Sequence, residues 1–127
     1  MSDLSHEGLL VRQWRDYGMS HQSRCNLVIH LIAVPCFLAA MALLPVMLAQ
    51  GRWFAAVFAL AAMGGSIAAQ GRGHRTEVHP PQPFTGLWNG IARLLAEQWI
   101  TFPRFVLSGR WACAMRQDGS GGGRHGQ

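Results

Sequence analysis

A histidine set inside an apolar run is the first residue of this chain that could do chemistry. His30 follows Leu27, Val28 and Ile29 and precedes Leu31, Ile32 and Ala33. An ionisable side chain in such a setting is costly and by default marks a functional site. The plainer alternative is a neutral imidazole hydrogen-bonded to a neighbouring helix. Asn26, one helical turn earlier, shares the face of His30 and could orient the ring or complete a polar pocket. His21 is nine residues before His30, and at about 100° per residue one straight helix would put the two on opposite sides. They converge only if His21 belongs to a turn ahead of the helix, with Ser20 or Ser23 as N-cap.

A second cluster, Gly73-His74-Arg75-Thr76-Glu77-Val78-His79, follows a later apolar run. His74 and Glu77 share a face if the segment is helical, although a lone H-x-x-E is more often a solvated loop. His79 precedes Pro80, a context that favours extended backbone, and is the lesser metal-ligand candidate. His6 and His125 lie in the terminal segments, where solvation is expected. If the two clusters meet, two or three imidazoles with Glu77 suit a non-haem iron that keeps positions open for oxygen and substrate.

The elements that would bring them together are helices. Leu27 to Ala49 carries no formal charge, and at about 1.5 Å per residue it is long enough to cross a hydrocarbon layer of about 30 Å. Trp53 to Ala69 is a second uncharged run, joined to the first by the polar tip Gln50-Gly51-Arg52. These predict a transmembrane helical hairpin with spans at about 27–49 and 53–69, the first kinked or split where Pro35 and Pro45 each remove a donor. Gly64, Gly65 and Ser66 are small enough to let the two helices approach. Arg12, Arg15 and Arg24 precede the first span and Arg72 and Arg75 follow the second, against Arg52 alone at the tip. That bias puts both termini on the cytoplasmic side.

Amphipathic interfacial helices are expected at both ends. One covers residues 1 to about 24, with Leu9, Leu10, Val11, Trp14 and Tyr17 near helical spacing. The other runs from Gly86 to about Met115, with Leu87, Ile91, Leu94, Leu95 and Trp99 on one side and Asn89, Arg93 and Glu97 on another. Pro103 marks a break in it, and Trp88, Trp99 and Trp111 suit the headgroup boundary. A single helical membrane domain therefore spans 1–116, followed by a Gly-rich tail at 117–127 expected to be disordered.

Composition excludes several classes. At 127 residues the chain is one domain's worth, and its 13% charged residues fall well below the roughly 25% of ordinary soluble domains. Its arginines sit at the edges of apolar blocks rather than on one aromatic-rich face, so the net charge of +5 does not indicate nucleic acid. Cys25, Cys36 and Cys113 show neither zinc spacing nor an even count. The polar N-terminal segment has no leader pattern, so the N-terminus is expected to be kept.

The ordered strings Tyr17-x3-His21-x4-Asn26-x3-His30-x4-Pro35, Gly73-His74-x2-Glu77 with a Pro-rich turn, and Glu97-Gln98-Trp99-Ile100-Thr101-Phe102-Pro103-Arg104-Phe105-Val106 resemble a known family over roughly residues 8–112. It is the bacterial branch of the small membrane proteins related to the fungal 2-hydroxy fatty acid dioxygenase of phytosphingosine degradation. The resemblance implies an Fe(2+)-dependent, oxygen-consuming enzyme that shortens 2-hydroxy fatty acids by one carbon in alpha-oxidation, in a bacterial inner membrane. Carried over by position, its metal ligands are His21, His30 and His74. Glu77 matches a motif carboxylate and, with Asn26, is expected in the catalytic set.

A fatty acyl tail can lie between helices within the lipid bilayer while its carboxylate and 2-hydroxyl stay at the interface. Arg72, Arg75 or Arg104 could hold that carboxylate, since a guanidinium matches its geometry. Association with a second copy is open, because a chain with so little soluble core gains from burying its polar site. Two other readings stay open beside this one. His30 and His74 could be the axial ligands of a small haem-binding electron carrier, or the hairpin could be a non-catalytic interaction module.

Overall fold

The computed structural model describes residues 7–120 of the chain, and among them it is all helical, with no strand. The amphipathic N-terminal stretch forms α1 (Leu9–Tyr17), which ends in a 3-10 turn over Gly18–Ser20. His21 and Ser23 leave helical geometry, at ψ 60° and 129°, before α2 (Arg24–Ala49) begins. Ser23 is the N-cap, its hydroxyl accepting from the Asn26 amide, which satisfies one of the donors a helix start leaves free.

The division of α2 at its prolines does not occur: the helix runs unbroken through Pro35 and Pro45. Each proline withdraws one donor from the ladder, and the turns on either side hold the helix together. Gly51 makes the tip, with a φ of 67° that glycine adopts without strain, and the Arg52 amide closes it on the Met47 carbonyl at 2.9 Å. The following helix, α3 (Trp53–His74), extends past the predicted end at 69 and takes in Gln70-Gly71-Arg72-Gly73-His74. Both α2 and α3 are long and apolar enough to cross a membrane. Their outward faces are apolar, with Phe54 94% and Phe58 80% exposed.

Ser66 is buried, as a small residue between the helices would be, but the tight glycine contact is at Gly73 rather than at Gly64 or Gly65. A Cβ on Gly64 or Gly65 would meet nothing within 4 Å, whereas one on Gly73 would lie 2.5 Å from Asn26 Oδ1 and 3.3 Å from its Cα. Gly73 thus sets the spacing of α3 against the start of α2, one residue before His74.

The connection from Arg75 leads to α4 (Leu87–Ala96), a π turn (Glu97–Thr101) and α5 (Phe102–Leu107) in one helical run. Pro103 does not interrupt it. Its missing N–H coincides with the wide turn just before it, where one extra residue per turn replaces α-helical bonding. Leu87, Trp88, Ile91, Trp99 and Ile100 face outward, while Gly90, Gln98, Thr101, Phe102 and Phe105 are buried. Gly109, at φ 81°, turns the chain into α6 (Arg110–Ser120).

The core gathers Tyr17, Leu27, Val34, Phe102 and Phe105, with Trp14, Leu38, Val106 and Trp111 against them. It sits at the Arg24 end of α2, where α1, α5 and α6 dock. Trp111 is half-buried there rather than free at a boundary, its indole N–H donating to the Leu27 carbonyl at 3.0 Å. The helix α6 runs on to Ser120. Residues 121–127, His6 and His125 lie outside the described residues.

Gly73→Ala is expected to destabilise the protein by about 1–3 kcal/mol, the usual range for overpacking a close contact, and to displace His74. Thermal unfolding in detergent, compared with Gly64→Ala as a neutral control, checks it.

Candidate metal centre

Each histidine reaches the centre from a different element. The 3-10 turn and the extended residues after it fold His21 back towards α2, which resolves the opposite-side problem of a straight helix. His21 is 1% exposed, and its Nδ1 lies 2.9 Å from the Tyr17 carbonyl and 3.1 Å from Ser20 Oγ. His30 is fully buried, with Nδ1 3.0 Å from the Asn26 carbonyl. A carbonyl only accepts, so in both rings Nδ1 carries a proton, and Nε2 is the nitrogen turned towards the centre. Metal-binding histidines are commonly oriented by such an outer hydrogen bond.

The two Nε2 atoms lie 3.4 Å apart, and Glu97 Oε1 is 3.4 Å from that of His21 and 3.2 Å from that of His30. His74, at the end of α3, closes the group. Its ring centroid is 4.8 Å from that of His21 and 4.9 Å from that of His30. One ligand atom from each of His21, His30, His74 and Glu97 falls within 4.8 Å of all the others. Ligands at about 2.1 Å from a common ion sit about 3.0 Å apart when octahedral and about 3.4 Å apart when tetrahedral, so the shortest separations already match a shared ion. Three imidazoles and a carboxylate form a donor set suited to a divalent first-row metal.

Glu97 needs this company. Burial alone would raise its carboxyl pKa, but hydrogen bonds from His21 and His30, and their charge, hold it well below the ordinary carboxylate range. The Tyr17 hydroxyl donates to Oε1 at 2.9 Å, and burial, with the negative charge of Glu97, raises the phenol well above its usual value. Tyr17 also stacks on His21, ring centroids 3.7 Å apart at 16°. Phe102 and Phe105 wall the histidines on the α5 side. A reciprocal amide pair, Gln70 to Gln98 at 3.1 and 2.7 Å, ties α3 to the π turn. Gln13 joins α1 to the same run, donating to the Arg93 carbonyl and accepting from Thr101.

The structure thus gathers the three histidines carried over from the resemblance and adds Glu97, which the sequence reading placed in the third motif string and on the polar side of its helix but not among the metal ligands. A lone acid in Leu94-Leu95-Ala96-Glu97-Gln98-Trp99-Ile100 was the same signal that singled out His30. Glu77 is elsewhere. Its carboxylate accepts from the Gln22 amide at 3.0 Å, the Ser23 amide at 2.9 Å and Asn26 Nδ2 at 2.8 Å, so it latches the start of α2.

Asn26 is likewise a strut. Its amide protons go to Glu77 and to the Ser20 carbonyl, and its buried Oδ1 rests against Gly73 without a partner. His79 is exposed and outside the cluster. Of the three arginines, Arg75 lines an open cleft with Gly71, His74, Glu77, Pro80 and Pro81. Arg72 is exposed, and Arg104 is stacked on Trp14 at 4.0 Å. Comparison with protein-family models, with curated proteins and with solved structures finds no match for the chain.

The folded Glu97 carboxyl titrates below its unfolded value of about 4.3, so its charge stabilises the metal-free protein fully above that pH and progressively less as the pH falls towards the folded value. Melting curves of wild type and Glu97→Gln should differ most at neutral pH and converge below about pH 4. Glu77→Gln should instead cost stability, about 1 kcal/mol or more, while leaving metal stoichiometry intact when measured on folded protein.

Proposed function

We propose that the chain is an iron(II)-dependent dioxygenase that shortens 2-hydroxy fatty acids by one carbon at a membrane surface. The observation that carries the reading is the convergence of His21, His30, His74 and Glu97 at one end of two helices long and apolar enough to cross a bilayer. In this reading α2 and α3 form a transmembrane hairpin in a bacterial inner membrane. The arginine bias places both ends of the described chain on the cytoplasmic side, with α1 and α4 at the interface. The substrate class and the reaction rest on the family resemblance of the sequence.

Bound iron would supply oxygen activation, the chemistry that open coordination positions on a mixed histidine and carboxylate site serve. The rest is done by side chains. His21, His30, His74 and Glu97 would hold the ion, while the Tyr17 and Asn26 carbonyls keep Nε2 of His21 and His30 turned inward. Tyr17 fixes Glu97 through its hydroxyl. Phe102 and Phe105 exclude water from one side, and the cleft beside His74 provides entry. Arg75 there is placed to bind a carboxylate, as a guanidinium does bidentately, and the apolar tail of the same substrate stays in lipid.

Protein purified anaerobically in detergent should carry near one non-haem iron per chain and consume oxygen with 2-hydroxy fatty acids. Alanine at His21, His30, His74 or Glu97 should each lower bound iron at least tenfold. Tyr17→Phe, which removes only the outer hydrogen bond, should weaken iron binding by about 10- to 100-fold. A strong Soret band would point to the haem carrier instead. Failure to take up iron(II) would leave a non-catalytic hairpin, and full iron retained with His21, His30 and His74 all replaced by alanine would overturn the site.

A further inference from the structure

Two arginines outside the metal centre share one aromatic ring. The guanidinium carbon of Arg104, on α5, is 4.0 Å from the ring centroid of Trp14, and that of Arg110, the first residue of α6, is 4.4 Å from it. Trp14 packs against the core, so one anchored indole holds both guanidinium groups. Both side chains are exposed.

Neither guanidinium has a hydrogen-bond or ion-pair partner among the described residues. Nor is an acid to spare among the side chains described. Glu7 and Asp16 pair with Arg15, Glu77 caps α2, and Glu97 sits among the histidines. Two like charges held together with no counter-ion among the described residues attract an external anion. Its depth in the fold follows from the neighbouring residue: Trp111 donates to the Leu27 carbonyl, in the first turn of α2. The pair therefore stands level with the point where α2 begins its apolar run.

We infer that Arg104 and Arg110, spread over Trp14, form a binding site for a phosphate group. A phosphate accepts from each guanidinium at about 2.8 Å and can be held in forked pairs, and its oxygens diverge enough to serve two arginines gathered on one ring. A lipid headgroup and free phosphate both offer this chemistry. The site is distinct from the cleft beside His74 and does not depend on the enzymatic reading.

The test uses the full chain in non-ionic detergent. One arm measures retention of phosphatidylglycerol against phosphatidylcholine by native mass spectrometry; the other measures binding of inorganic phosphate by calorimetry. Phosphatidylglycerol retention that falls roughly tenfold in Arg104→Gln, and further in the double variant with Arg110→Gln, supports a lipid source. Phosphate binding lost in the same variants supports a soluble one. Trp14→Leu, which keeps both charges but removes their platform, should weaken whichever ligand binds. Equal binding by wild type and the double variant, or an equal loss in Arg72→Gln, would overturn the site by showing no binding there or an effect of net charge alone.

Discussion

A carboxylate buried among apolar helices cannot stay ionised without partners, and the arrangement around Glu97 is built on that constraint. Tyr17 donates to it, and His21 and His30 face it across 3.4 and 3.2 Å. Removing water raises the cost of the charge and strengthens each of these contacts. The π turn that carries Glu97 is held in turn by the Gln70–Gln98 pair and by Gln13 through Thr101. Polar groups at the junction of α1, α3 and the α4–α5 run therefore form one connected network. The apolar core beside it fills space but does not by itself select this register.

The two acids that follow the apolar runs divide the work by environment. Glu77 meets the free amides at the start of α2, where helix geometry leaves donors without partners and favours negative charge. Glu97 meets imidazole nitrogens. Asn26 links the two regions: its side chain binds Glu77 and the Ser20 carbonyl, its own carbonyl fixes His30, and its Oδ1 rests on Gly73 beside His74. A residue that touches both latch and cluster transmits small displacements of one to the other.

Much of this was legible in the sequence, and the failures have physical causes. Uncharged runs long enough to cross a bilayer announced α2 and α3, and a histidine in such a run announced His30. Serine before the first run announced the cap. The extension of α3 to His74 was hidden because glycines at 71 and 73 read locally as loop, whereas Gly73 packs against Asn26 within the helix. Glu97 was hidden because its helix shows an apolar face and a polar face, and a soluble-protein habit turns the polar one outward. Here Leu87, Trp88 and Trp99 face out and Glu97 faces in. Proline positions misled too: α2 absorbs two of them, and Pro103 coincides with a wide turn rather than a stop.

The order of the four clustered residues along the chain carries a consequence for biosynthesis. His21, His30 and His74 all emerge from the ribosome before Glu97, and the Tyr17–Glu97 contact closes a loop of 80 residues. The paired long helices can assemble from contacts nearby in sequence, but the fourth donor arrives only when the C-terminal run folds back, and so distant a closure is intrinsically late. A nascent chain thus passes through a stage that displays imidazoles without the carboxylate. The return of Glu97 then brings the carboxylate to the imidazoles and fastens the C-terminal run to the long helices.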